Sequence, residues 1–114
     1  MRKLTARQVR DMQDQKKEFL LINVLPEEHF QREHIPGSVN VPVDEDRFLK
    51  RVEHLVKDRG TEVVVYCSDH SCKASSRAAE QLEEADFRNV SELAGGMREW
   101  EEAGLPVEGQ AVGA

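Results

Sequence analysis

The chain is poor in the residues that would staple it or anchor it. Only two cysteines, Cys67 and Cys72, occur among its 114 residues, which excludes a scaffold held by several disulfides. In a reducing compartment two thiols so close in sequence point to reactivity or metal capture rather than to a structural bridge. No window approaches the roughly 20 apolar residues of a membrane span, and the opening "MRKLTARQVRDMQ" lacks the apolar core of a signal peptide. The expected compartment is therefore the cytoplasm. Basic excess is also missing: the formal net charge is -6, against a sequence-independent nucleic-acid binder, which needs a basic face. Neither internal repeats nor a low-complexity tract interrupts the chain, and its length suits one domain with a self-sufficient core, residues 1 to 114, ending in a short loose tail from about 108.

What is present alternates between strand and helix. Thr5 and Gln8 form a capping-box pattern, with Leu4 and Val9 placed as a hydrophobic staple. "FLLINVL" (19–25) is a nearly continuous apolar run of strand length, as expected where both faces are covered. Pro26, Glu27 and Glu28 open a short helix, "VNV" (39–41) is a short strand, and "NVSEL" (89–93) a weaker one. From Asp44 a helix is expected with Phe48, Val52, Leu55 and Val56 on one face. "EVVVY" (62–66) is the next buried strand. Ala74, Ala78, Leu82 and Ala85 recur at helical spacing, and "GGMREWEEAG" closes the series as a short helix. Strands alternating with helices predict an α/β fold, a parallel sheet flanked by helices on both faces.

The chemistry concentrates where "VVVY" ends on Cys67. In open α/β sheets ligands gather beyond the carboxyl ends of the strands. The loop Ser68-Asp69-His70-Ser71-Cys72 feeds a helix starting near Lys73, whose unpaired N–H groups carry about half a positive charge. A cysteine placed there can be acidified by one to several units from about 8.5. The strand delivers a sulfur and the helix cradles its negative charge. Lys73 and Arg77, cations at the unfavourable end of a helix, make sense beside a bound anion. Sulfur chemistry of this kind needs no metal and no organic cofactor. His70 completes a Cys-x2-His-x-Cys cluster, but a tetrahedral zinc site would need a fourth ligand from elsewhere.

Taken together, "LINVLPEEHFQREHIPGSVNVP", "VVVYC" with its small-residue helix, and "FRNVSELAGGMREWEEAGLPV" resemble a single-domain rhodanese, a sulfurtransferase, over about residues 19 to 107. The resemblance implies that Cys67 becomes a persulfide, taking sulfane sulfur from a donor such as thiosulfate and passing it to a thiol or cyanide, or to a protein acceptor. It implies that residues 68 to 73 form the substrate-binding loop, and that Gly37, Gly95, Gly96 and Trp100 shape the fold. The pattern departs from the family in three places. "INVL" puts Asn23 and Leu25 where an acidic residue and an arginine are common, the loop lacks an arginine, and its sixth position is Cys72. A second thiol there could resolve a Cys67 persulfide, or could simply point away. Two other readings stay open: a non-catalytic module that binds a partner or carries persulfide, and a phosphatase or arsenate reductase on a related fold. The latter needs arginine after five intervening residues, where this chain has Lys73. A monomer is the expected state, with neither nucleic acid nor membrane as partner.

Overall fold

A computed structural model describes residues 1–110. Ten elements follow one another: β1 (Arg2–Leu4), α1 (Ala6–Asp14), β2 (Leu20–Asn23), α2 (Glu27–Arg32), β3 (Val39–Asn40), α3 (Phe48–Leu55), β4 (Val63–Tyr66), α4 (Ala74–Glu84), β5 (Val90–Leu93) and α5 (Gly96–Glu102). The five strands form one parallel sheet in the order β1-β5-β4-β2-β3. β4 is therefore central, flanked by β5 and β2.

Alternation along β4 builds two cores from one strand, because successive side chains point to opposite faces. Val63 and Val65 join Ile22, Phe48 and Val52 of α3, and Ala78, Ala79 and Leu82 of α4. Val64 and Tyr66 join Leu21, Leu93, Ala6 and Val9 of α1, and Met97 and Trp100 of α5. The expected α/β sandwich is thus present, with both faces of the sheet covered. No helix among the described residues is long and apolar enough to cross a membrane.

Thr5 accepts the Gln8 N–H and Gln8 reaches back to the Thr5 N–H, the capping box anticipated from the sequence. Other boundaries move. Residues 44 to 47 form turns rather than a helix, with Phe48 N–H bonded to the Glu45 carbonyl at 3.2 Å, and α3 begins only at Phe48. Phe48 and Val52 are buried as expected, but Leu55, the last residue of α3, is 47% exposed. β5 is buried along its whole length, more so than its sequence suggested. The expected tail starts with ordered backbone: Glu108 exchanges N–H···O bonds with His34 at 2.8 and 3.0 Å. The rest of that expected tail, residues 111–114, lies outside the described residues.

Candidate active site

Cys67 immediately follows the central strand, at its carboxyl end. Its side chain is 1% exposed, and the structure pairs it with Cys72 as a disulfide. The Cα atoms are 6.5 Å apart, inside the range that a disulfide spans without moving the backbone. Cys72, half-buried at the end of the loop, therefore faces Cys67 rather than pointing away.

The sulfur lies at the first turn of α4. Cys67 Sγ is 3.4 Å from the Ser75 hydroxyl, at the second residue of that helix. Lys73 occupies the N-cap position without a side-chain cap, and the first helical bond runs from the Arg77 N–H to the Lys73 carbonyl. The N–H groups ahead of that bond have no partner within the helix, which keeps them available to an anion.

Local hydrogen bonds shape the loop. The Asp69 carboxylate accepts both the Ser71 N–H at 2.9 Å and its hydroxyl at 2.6 Å, while the Cys72 N–H bonds the Asp69 carbonyl. These Ser71 bonds hold the Asp69 carboxyl below its ordinary range. From the other side α5 clamps the loop. Two N–H groups of its first turn, on Met97 and Arg98, donate to the carbonyls of Cys67 and Ser68, each at 2.9 Å. This contact requires Gly96: its φ is +56°, and a Cβ there would overlap the Cys67 carbonyl oxygen and lie 2.8 Å from the Ser68 carbonyl carbon. Trp100, fully buried behind it, donates its indole N–H to the Pro106 carbonyl at 2.7 Å. Gly96 and Trp100 thus shape the fold, as the pattern implied.

Not every residue singled out converges on the sulfur. The Arg77 guanidinium is ion-paired with Asp44 at 2.9 Å, and Lys73 and His70 are exposed. His70, Ser71 and Asp69 line a shallow cavity with Gly95, Arg98 and Glu99. A larger cavity, about 620 Å³, shares Arg98 with it and is bounded by Leu25, His29, Arg32, Ser68, Met97 and Glu101. Glu101 is raised above its ordinary value by burial and by the neighbouring Glu33 carboxylate. Sequence reasoning passed over Arg98, the only cation lining both cavities among the described residues. Its place two residues after the double glycine was the available signal.

Asn23, where the family often carries an acid, is fully buried. It donates to the Tyr66 hydroxyl at 3.1 Å and accepts the Leu25 N–H at 3.0 Å, so a neutral network stands where an ion pair was in question. The Tyr66 hydroxyl also accepts the Ile35 N–H and bonds Ser38. Burial pushes its phenol upward against these bonds.

Comparison with known proteins agrees with this geometry. A family model described as a rhodanese-like domain matches residues 5–103. The chain is 40% identical over 97 residues to an HTH-type transcriptional regulator of Mycobacterium tuberculosis, covering 84% of this chain and 41% of that protein. It is 31% identical to an adenylyltransferase and sulfurtransferase of Zea mays, covering 86% of this chain and 20% of that protein. Over these two relatives the chain thus spans less than half the length. It is 35% identical to the thiosulfate sulfurtransferase PspE of Escherichia coli, covering 68% of this chain and 70% of that one. Among solved structures, a thiosulfate sulfurtransferase from Pseudomonas aeruginosa superposes with a TM-score of 0.82 at 25% identity, covering 96% of this chain and 20% of that one. The chain belongs to the rhodanese-like domain family.

Proposed function

We propose that the chain is a sulfurtransferase that moves sulfane sulfur from a donor such as thiosulfate or a persulfide to a thiol or cyanide acceptor through a Cys67 persulfide. One observation carries the reading: the Cys67 sulfur sits beyond the central parallel strand, at the uncapped first turn of α4. With the cysteines reduced, the Cys67 thiolate attacks the outer sulfur of the donor. Thiosulfate then leaves as sulfite, and the negative charge of the new persulfide lies near the free amides of α4. A thiol or cyanide attacks the outer sulfur and restores the thiolate. Residues 68 to 73 form the substrate-binding loop in this reading, and the cavity beside Ser68 and Arg98 is the approach for donor and acceptor. No cofactor enters the chemistry. The protein acts as a monomer in the cytoplasm, where thiols keep Cys67 and Cys72 reduced.

The Cys67–Cys72 pair favours a second, linked role. A Cys72 thiolate attacking Cys67 Sγ expels the outer sulfur as hydrosulfide and leaves the disulfide, which a cellular dithiol reduces again. The module would then carry persulfide and discharge it under redox control. Intact mass after incubation of the reduced protein with thiosulfate, and separately with a persulfide donor, should show one added sulfur on Cys67 and none in Cys67→Ala. In Cys72→Ser the added sulfur should persist longer. Absence of the added mass with both donors, or thiocyanate formation unchanged in Cys67→Ala, overturns the transfer reading. Equal persulfide lifetimes in wild type and Cys72→Ser overturn the discharge.

A further inference from the structure

Glu92 is a carboxylate in the wrong place for a structural residue. It lies on β5, in register with Val65 of β4 and Lys3 of β1, and is 3% exposed. Oε2 accepts the Ser75 hydroxyl at 2.5 Å and the Ser76 hydroxyl at 3.0 Å. Oε1 is buried without any hydrogen-bond partner. No cation stands within ion-pair distance of Glu92 among the described residues: Arg77 is paired with Asp44, the Met1 ammonium with Glu83, and Lys3 and Lys73 are exposed. A lone charge at that depth is expensive, and an orphaned buried oxygen calls for a functional account.

The account lies at the other end of the Ser75 hydroxyl, which is 3.4 Å from Cys67 Sγ. Ser75 has one proton to give and gives it to Glu92, so toward a reduced Cys67 it can only accept. We infer that Glu92 is a positioning residue that acts through Ser75 to hold the proton Cys67 releases. The reduced Cys67 S–H passes its proton to Ser75 Oγ while the Ser75 hydroxyl proton passes to Glu92 Oε2. The S–H bond breaks and a carboxyl O–H bond forms. Negative charge moves from carboxylate to sulfur, with no change in total charge or proton count. Ser75 then donates to the thiolate. Two negative charges on either side of a single buried hydroxyl would repel, so thiolate and carboxylate hold one proton between them.

This inference rests on Cys67 being the sulfur acceptor, but its test needs no sulfur transfer. The rate of Cys67 alkylation by iodoacetamide is measured against pH in the reduced Cys72→Ser protein, with and without Glu92→Gln. With Glu92 present, the rate should run nearly flat over a pH window below the thiol's upper titration, since the thiolate forms by internal transfer. In Glu92→Gln that limb should instead fall about tenfold per pH unit, as for one isolated thiol. Identical single-step profiles in both proteins overturn the inference. If Glu92→Gln fails to fold, Ser75→Ala decides: it leaves Ser76 bonded to the carboxylate but cuts the relay. Loss of the flat limb there supports the proposal, and its retention refutes it. Persulfide loading by mass is scored separately, so a protein that alkylates in two steps yet never accepts sulfur sinks only the transfer reading.

Discussion

Gly96→Ala tests whether α5 holds the loop in its working shape. The substitution meets two separable penalties. Its φ of +56° is left-handed, which costs a residue with a Cβ about 1 to 2 kcal/mol. The new methyl would also overlap the Cys67 carbonyl, so the two N–H···O bonds from Met97 and Arg98 must stretch, costing about 1 kcal/mol each. The expected total is about 3 to 4 kcal/mol, a large part of the roughly 5 to 15 kcal/mol that holds a domain together. Gly104→Ala is the control. Its φ is +73°, but no atom lies within 4 Å of the added Cβ, so only the backbone penalty of about 1 to 2 kcal/mol applies. Urea denaturation of both variants gives the difference, expected to be about 2 kcal/mol from the clamp alone. At a temperature where Gly96→Ala stays folded, its persulfide loading should drop at least about tenfold, because misplacement of a reacting group by about an ångström costs that much or more. Equal stability of the two variants, or unimpaired loading in Gly96→Ala, would refute the clamp.

Two further outcomes follow from the hydrogen bonds around the site. Tyr66→Phe strands the buried Ile35 N–H and the Asn23 amide, and should lower stability in urea by about 2 to 4 kcal/mol; a loss below about 1 kcal/mol would show that the network carries no weight. Because Asp69 has a folded-state pKa below its ordinary 3.8, its contribution to loop order is fully present above that value and is lost as pH falls through the lower folded value. The protection factor of the Ser71 amide should therefore hold steady above about pH 4 and decline below it, with Asp69→Asn removing the dependence; a decline unchanged in that variant would assign it elsewhere.

Much of this protein was legible along the chain. Apolar runs at strand length, the Thr5–Gln8 cap and the alanine stripe of α4 are local signals, because each depends on neighbours within a turn or two. They specify the α/β class, and the cysteine after "VVVY" marks where the proposed chemistry lies. Elements whose existence depends on distant partners were harder to see. β1 is three residues of mostly exposed chain that become a strand only by pairing with β5, nearly ninety positions away, which no local pattern encodes. Leu55 shows the converse: it belongs to an amphipathic stripe, yet at the last residue of α3 it stays exposed.

Burial of polar groups was the least visible of all. "NVSEL" reads as a weak strand, and nothing in it marks Glu92 as buried. Packing of α4 over β5 covers it, and the Ser75 and Ser76 hydroxyls then make its burial tolerable. The same packing brings the Cys67 sulfur within reach of Ser75, and the turn at Asp69 carries Cys72 over it. Sequence alone determined the fold class and singled out the cysteine proposed to react, since both arise from periodicity and from the chemistry of single residues. Tertiary structure decided which groups surround that sulfur, because hydrogen bonding and desolvation depend on distances that exist only after the chain has folded.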